Sequence, residues 1–91
     1  MKSIMQKNKE CFVCGTTYNL HEHHIFFGSA NRKQSERHGL KCFLCYEDHE
    51  GTKGVHHNRE LDLELKKVAQ AKFEETHTRE EFRQIFGKSW L

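Results

Sequence analysis

The clearest periodic pattern of apolar positions lies in the C-terminal third of the chain. Five apolar residues recur there at the spacing of one helix face, namely Leu61, Leu65, Val68, Ala69 and Phe73. This pattern predicts a helix from about residue 59 to residue 75. Thr78 and Glu81 then have the spacing of a capping box, which predicts a last helix that runs to about Phe86 and ends at Gly87.

The first two thirds of the chain contain only short apolar runs. Residues 16–27 form a β-prone stretch that ends in an apolar run, and residues 40–45 are a second strand candidate. Residues 28–39 are polar and basic and are expected to form a loop with at most one helical turn. The polar residues 1–10 are expected to be flexible. Gly51 and Gly54 argue against a continuous helix over residues 46–58. Without a repeat or a linker, residues 1–91 are expected to form a single domain of the α+β class.

The composition is lean in apolar residues, with 35% hydrophobic and 31% charged positions in 91 residues. A chain this short has a marginal core unless something else stabilises it. Seven Phe, two Tyr and one Trp argue against a disordered tail. The formal net charge of +2 favours an anionic partner only weakly. No apolar run reaches the length of a membrane span, and the N-terminus lacks the apolar centre of a signal peptide, so a cytoplasmic protein is expected.

Four cysteines supply the first candidate chemistry. They form two Cys-x-x-Cys pairs, Cys11 with Cys14 and Cys42 with Cys45. Two such pairs can close a tetrahedral structural zinc site, with a spacing that suits a zinc ribbon or a treble-clef knuckle. Disulfides would require a secretory context that nothing in the chain indicates. For Cys42, a buried thiol in a strand remains the alternative interpretation.

Histidines form the second candidate set: His23, His24, His49, His56 and His57. Neighbouring residues of a strand point to opposite faces, so one histidine of the first pair is expected to bind a metal and the other to address a substrate. A metalloprotease motif that began at His21 would need a histidine where Ile25 stands, and the motifs of the zinc deaminases are absent. His21, His38 and His77 receive no role.

Three segments together resemble the HNH nuclease superfamily, also called the ββα-metal nucleases, and its small phage-borne members in particular. The segments are Leu20-His21-Glu22-His23-His24-Ile25, then Gly39-Leu40 with Leu44-Cys45 and His49, then Gly54-Val55-His56. The resemblance covers roughly residues 11–58. It implies a small zinc-braced, treble-clef-like ββα-metal core followed by C-terminal helices, and the activity of a metal-dependent DNA endonuclease.

Carried over by position, the resemblance implies that His23, His49 and His56 ligate a catalytic divalent metal, with His57 as the alternative to His56. His24 would be the general base, with its other ring nitrogen donating to a backbone carbonyl. Three neutral imidazoles suit Zn²⁺, Ni²⁺ or Mn²⁺ better than Mg²⁺. Products with a 5′ phosphate and a 3′ hydroxyl are expected from the same resemblance.

The structural zinc would be held by four residues, Cys11, Cys14, Cys42 and Cys45. In related proteins the second knuckle usually begins at the later cysteine, which makes Asp48 the alternative to Cys42. Cys42 is preferred because structural zinc sites favour sulfur. The middle Asn of the family has no counterpart at Gly39-Leu40, and Asn31 and Asn58 are its candidate substitutes.

Four basic residues lie between the catalytic histidines and the second cysteine pair: Arg32, Lys33, Arg37 and Lys41. They are expected to contact DNA phosphates, with an ordinary solvated loop as the alternative. The expected partners are DNA and, for some functions, a second copy of the chain or a phage protein, with no membrane involved. The resemblance implies a phage- or prophage-encoded protein in a bacterial host. The alternative function is a non-catalytic zinc module that binds DNA or protein through the same fold.

Overall fold

A two-stranded sheet and four helices make up the computed structural model, which describes all 91 residues. The strands are β1 (Leu20–His24) and β2 (Lys41–Cys45), and helix α1 (Ser29–His38) connects them. Helix α2 (Tyr46–His49) follows β2 directly, and α3 (Arg59–Phe73) and α4 (Arg79–Phe86) complete the chain. The predicted α+β class is confirmed. None of the helices is both long enough and apolar enough to span a membrane.

The register of the sheet decides which side chains share a face. Strands β1 and β2 are antiparallel, with His23 opposite Cys42 and His24 opposite Lys41. Cross-strand partners lie on the same face, whereas consecutive residues alternate between faces. His21 and His23 therefore point to one side of the sheet, and His24 points to the other.

Residues 28–39, predicted as a loop, form helix α1 instead. Ser35 is the only buried residue of this helix, and its hydroxyl donates to the carbonyl of Phe26 and accepts from the Phe26 N–H. Gly39 ends the helix in the left-handed conformation with φ 70°. The loop prediction was wrong because periodicity detects apolar stripes, and this helix is anchored by a serine and a glycine rather than by an apolar face.

Residues 1–10, expected to be flexible, pack along the free edge of β2. The Ile4 N–H donates to the Gly39 carbonyl at 2.9 Å, and Ile4 and Met5 pack against the core. The Phe43 N–H donates to the side chain of Gln6. The segment thus supplies hydrogen bonds that an edge strand would otherwise lack, which is why it is held in place.

The two C-terminal helices close the core as the sequence predicts. Helix α4 begins at the capping box of Thr78 and Glu81 and ends at Gly87. Phe82 and Phe86 of this helix pack against Phe26, with ring centroids 5.2 and 4.7 Å away. Helix α3 buries Leu65, Ala69 and Phe73 of the predicted apolar face, and it also buries Gln70. Val68, another residue of that face, is exposed.

Helix α3 has its own N-cap. The Asn58 side chain accepts a hydrogen bond from the Leu61 N–H at 3.1 Å, which satisfies one of the free donors of the first turn. Asn58 is one of the two candidate substitutes for the missing family Asn. Its side-chain oxygen is engaged as a helix cap.

Candidate metal centres

Three cysteines and one aspartate converge where the turn after residue 11 meets the start of α2. The ligand atoms of the four residues lie within 4.8 Å of one another: Cys11, Cys14, Cys45 and Asp48. The Asp48 carboxylate is 3.1 Å from the Cys11 sulfur and 3.2 Å from the Cys45 sulfur, and Cys14 and Cys45 have their sulfurs 3.7 Å apart. These four residues, called the cysteine group below, are close enough to bind one metal ion.

The fourth member of the cysteine group is Asp48, and the preference for Cys42 is wrong. Cys42 and Cys45 are three residues apart in β2, so their side chains leave opposite faces of the strand. Cys42 lies on the face of His23, buried in the core, and burial raises the pKa of its thiol to about 12. The softness of sulfur for zinc favours Cys42, but the strand geometry decides which side chains meet.

The surroundings of the cysteine group favour a bound cation. Burial raises the pKa of the Cys45 thiol to about 12, so its thiolate requires a compensating positive charge. Burial also tends to raise the pKa of Asp48, but hydrogen bonds from the thiols of Cys11 and Cys45 outweigh it and lower that pKa. Thiolate and carboxylate donors of this kind fit Zn²⁺.

Three histidines form a second group on the opposite face from His24. His23 comes from β1, His49 from the end of α2 and His56 from the loop before α3, and their ring nitrogens lie within 4.8 Å of one another. The Nε2 atoms of His49 and His56 are 3.0 Å apart. The ring centroid of His23 is 5.1 Å from that of His49 and 5.4 Å from that of His56. The structure therefore brings together the three predicted metal ligands, called the histidine group below, and leaves the alternative His57 outside.

His23 shows most directly that the histidine group fits a cation. Its side chain is 3% exposed, and its Nε2 has no hydrogen-bond partner. Such orphaned buried atoms are rare in folded proteins and call for a partner. Burial, reinforced by the nearby His49 and His56, lowers the pKa of His23 to about 3, and burial also lowers the pKa of His49. Neutral imidazoles are the form that binds a metal.

Two glycines shape the loop that carries His56. The Val55 N–H donates to the Asp48 carbonyl at 2.7 Å, so the loop folds back over α2. A Cβ on Gly54 would lie 2.8 Å from the Glu47 carbonyl oxygen, and one on Gly51 would lie 2.5 Å from the same atom. Only glycine fits such close approaches, and the approach is what brings His56 to His49.

His21, which received no role from the sequence, borders the histidine group. It lies two residues before His23 on the same face of β1, and its Nδ1 is 3.0 Å from the Nδ1 of His49. When His49 donates in this contact, its Nε2 is the nitrogen that carries a lone pair, and Nε2 is the atom that faces His56. The sequence contains a signal for this position that received no weight: His21 and His23 are two residues apart, so in a strand they share a face.

His24 lies with carboxylates on the other face of the sheet. Its side chain is buried, and its Nε2 is 3.0 Å from Glu36 Oε1 and 3.9 Å from Glu22 Oε1. The structure therefore does not bring His24 into the histidine group. The expected partner, a backbone carbonyl, is replaced by the carboxylate of Glu36, because α1 is a helix that presents this side chain to β1.

The four basic residues predicted to contact DNA have different surroundings. Lys41 is 9% exposed, and its ammonium is 2.7 Å from Glu36 and 3.5 Å from Glu22. The Lys41 ammonium is thus engaged in ion pairs within the protein, and its contact with DNA phosphates stays a prediction. Arg32, Lys33 and Arg37 are on α1, and all three are exposed to solvent.

Comparisons with known proteins do not add a family to this description. No protein-family model matches the chain, and no curated protein or solved structure is significantly similar to it. The fold and the site define the class: a small α+β protein with one cysteine group and one histidine group, each positioned to bind a metal ion.

Proposed function

We propose that the protein is a metal-dependent endonuclease of the HNH type that hydrolyses phosphodiester bonds in DNA. The observation that supports this most is the histidine group, which is separate from the cysteine group and contains the orphaned Nε2 of His23. A purely structural module needs one closed site. Three protein ligands with a remaining open position are the arrangement of catalytic zinc sites.

The two groups bind separate metal ions in this proposal. Cys11, Cys14, Cys45 and Asp48 would hold a structural zinc that braces a treble-clef-like core, and the histidine group would hold Zn²⁺, Ni²⁺ or Mn²⁺. When bound to the histidines, the divalent metal supplies charge neutralisation at the scissile phosphate and the leaving 3′ oxygen. The ring nitrogens of His23, His49 and His56 would hold this metal.

His24 is the proposed general base. Its Nε2–H donates to Glu36, which leaves Nδ1 with a lone pair that can take a proton from water. His24 is the last residue of β1 and lies on the opposite face from the histidine group, so this role requires the substrate to pass around the end of that strand. The Glu36 carboxylate also stabilises the imidazolium that forms. The hydrogen bond from Lys41 and the contact with His24 lower the pKa of Glu36, so this carboxylate is charged at neutral pH. His21 is the competing imidazole, because it lies on the face of the histidine group.

DNA contacts in the proposal come from α1. The side chains of Arg32, Lys33 and Arg37 reach solvent there and are available to phosphates. One chain contains one histidine group, so cleavage of both strands requires a second copy of the chain or a partner protein.

A nicking assay on supercoiled plasmid tests the proposal. Zinc-loaded protein supplied with Mn²⁺ or Ni²⁺ should convert the plasmid to the relaxed form, and His23→Ala should abolish this conversion. His57→Ala is the matched control, because His57 is an exposed neighbour of His56 outside the histidine group. Retention of DNA without cleavage under every metal would instead establish the non-catalytic zinc module.

The same assay assigns the base. His24→Ala should lower the cleavage rate by about 10²–10⁴ while metal content is unchanged. A loss of that size in His21→Ala, with full activity in His24→Ala, would transfer the role to His21.

A further inference from the structure

Three aromatic side chains of the protein are exposed: Phe27 lies beside the histidine group, and Tyr46 and Tyr18 lie beside His21, which borders that group. Tyr18 is 79% exposed, Tyr46 is 52% exposed and Phe27 is 46% exposed. The other six phenylalanine rings and the single tryptophan ring are buried or partly buried. Single exposed apolar residues scattered over a surface are ordinary, but a shared location of the exposed rings indicates a binding surface.

The rings form a continuous row with the histidine group at its centre. Tyr46 contacts His21 edge to face at 6.2 Å, and His21 lies 5.1 Å from His49. At the other end, the ring of Phe27 is 6.1 Å from that of His56 and 6.3 Å from that of His23. Tyr18 lines the same groove as His21 and Tyr46. A chain molecule bound at the histidine group therefore meets an aromatic surface on both sides.

Charges differ between the two ends of the row. The Lys66 ammonium lies 4.3 Å from the centroid of Phe27 and is paired with the Asp62 carboxylate at 2.8 Å. At the Tyr46 end, Glu47 and Asp48 line the groove. The Glu47 carboxylate disfavours a phosphate backbone at that end, so the bases of a bound strand suit it better than the phosphates do.

We infer that the DNA at the histidine group is unpaired around the cleaved bond, with its bases stacked on Phe27 on one side and on Tyr46 and Tyr18 on the other. The inference rests on the proposed function, because it names the substrate of that site. In a duplex the faces of the bases are covered by their neighbours and only the edges are accessible, so exposed rings have nothing to stack on. Unpaired bases offer a π-face to an aromatic side chain whatever their sequence.

Binding measurements test the inference without relying on catalysis. A fluorescein-labelled mixed-sequence oligonucleotide, single-stranded or annealed to its complement, is titrated with zinc-loaded protein and followed by anisotropy. Wild type should bind the single strand more tightly than the duplex. Phe27→Leu should weaken single-strand binding by roughly 5- to 100-fold, the usual loss of one stacked base, and leave duplex binding within about twofold. Tyr46→Leu should act in the same direction.

Two controls show that the loss comes from stacking. Val68→Ala removes an exposed apolar side chain on α3 and should leave both affinities unchanged. An oligonucleotide with an abasic site at the stacked position should bind wild type more weakly and should suffer no further loss with Phe27→Leu. Additive losses from the abasic site and from Phe27→Leu, or equal losses for single strand and duplex, would overturn the inference.

The outcomes also separate this inference from the proposed function. Phe27-dependent single-strand binding without cleavage under any metal would refute the nuclease and keep the stacking surface. Cleavage of duplex and single strand at equal rates, with Phe27→Leu unaffected, would refute the stacking surface and keep the nuclease.

Discussion

The Nδ1 atoms of His21 and His49 lie 3.0 Å apart, and this contact joins the face of β1 that carries His23 to the end of α2. The contact fixes which nitrogen of His49 faces the other members of the histidine group. His21 is therefore a positioning residue for the metal site rather than one of its three ligands. The Glu50 carboxylate lies 3.5 Å from the same nitrogen of His49, which is too far for it to replace His21 as the hydrogen-bond partner.

Removal of the acceptor at position 21 should weaken the histidine site. We expect His21→Leu to reduce Ni²⁺ affinity by about 10- to 100-fold, the usual effect of losing the partner of a metal-bound histidine. His21→Asn keeps an acceptor and should recover part of the affinity. Isothermal titration of zinc-loaded protein with Ni²⁺ measures both, and His57→Leu is the control. Equal affinity in the Leu and Asn variants would show that the hydrogen bond has no role.

Asp48 and Cys42 should differ sharply in their effect on zinc. Asp48→Ala removes a member of the cysteine group, so we expect loss of the bound zinc and of cooperative unfolding, as for Cys11→Ala. Cys42→Ala should retain one zinc and cost only about 1 kcal/mol of unfolding free energy through the small cavity it leaves. Colorimetric zinc content and urea denaturation measure these effects. A Cys42→Ala protein without zinc would restore the four-cysteine assignment.

The two metal sites should be separable although Asp48 and His49 are neighbours in sequence. His23→Ala and His49→Ala each remove a ligand of the histidine group only, so we expect loss of the exchangeable metal with one tightly bound zinc retained. Elemental analysis before and after dialysis against excess Mn²⁺ gives the amount of exchangeable metal and the amount of tightly bound zinc per chain. Release of the tightly bound zinc by either substitution would show that the assignment of ligands to two sites is wrong.

Stability should depend on pH through His38, which packs against Phe73 and His77. Burial, together with His77 and Arg37, lowers the pKa of His38 below its ordinary value of 6.5. The unfolded chain then binds a proton that the folded chain does not, so this residue reduces the unfolding free energy as the pH falls below about 6.5. Above that pH its contribution is constant.

The comparison of His38→Gln with wild type isolates this effect from titration of the metal ligands, which both proteins share. Between pH of about 7.5 and 5.5, urea denaturation should show the variant gaining stability relative to wild type. His57→Gln is the control with an exposed histidine and should show no such trend. A constant difference between His38→Gln and wild type over this range would contradict the prediction.

Spacings of a few residues along the chain determine much of the fold. The capping box of Thr78 and Glu81 marks the start of α4 because both hydrogen bonds join residues three apart. The separation of His23 from His24 follows from strand alternation alone. The three histidines of the histidine group are implied by the resemblance to a family, and the structure places them together.

Contacts between distant segments decided the rest. Helix α1 depends on a hydrogen bond from Ser35 to Phe26, and its sequence has no apolar stripe from which the helix could be predicted. The choice between Asp48 and Cys42 depends on which face of β2 the turn at Cys11 packs against. The ion pair of Lys41 with Glu36 likewise requires α1 to lie beside β2.

The sequence by itself therefore determined the strands, the C-terminal helices and the residue types available as ligands, because these follow from spacings of two to four residues. Only the tertiary structure decided that Asp48 joins the cysteines, that Lys41 is engaged in ion pairs and that His21 and Phe27 border the histidine group. Each of these features is a contact between segments that are distant along the chain. Such contacts depend on the packing of the whole core, which no local sequence pattern encodes.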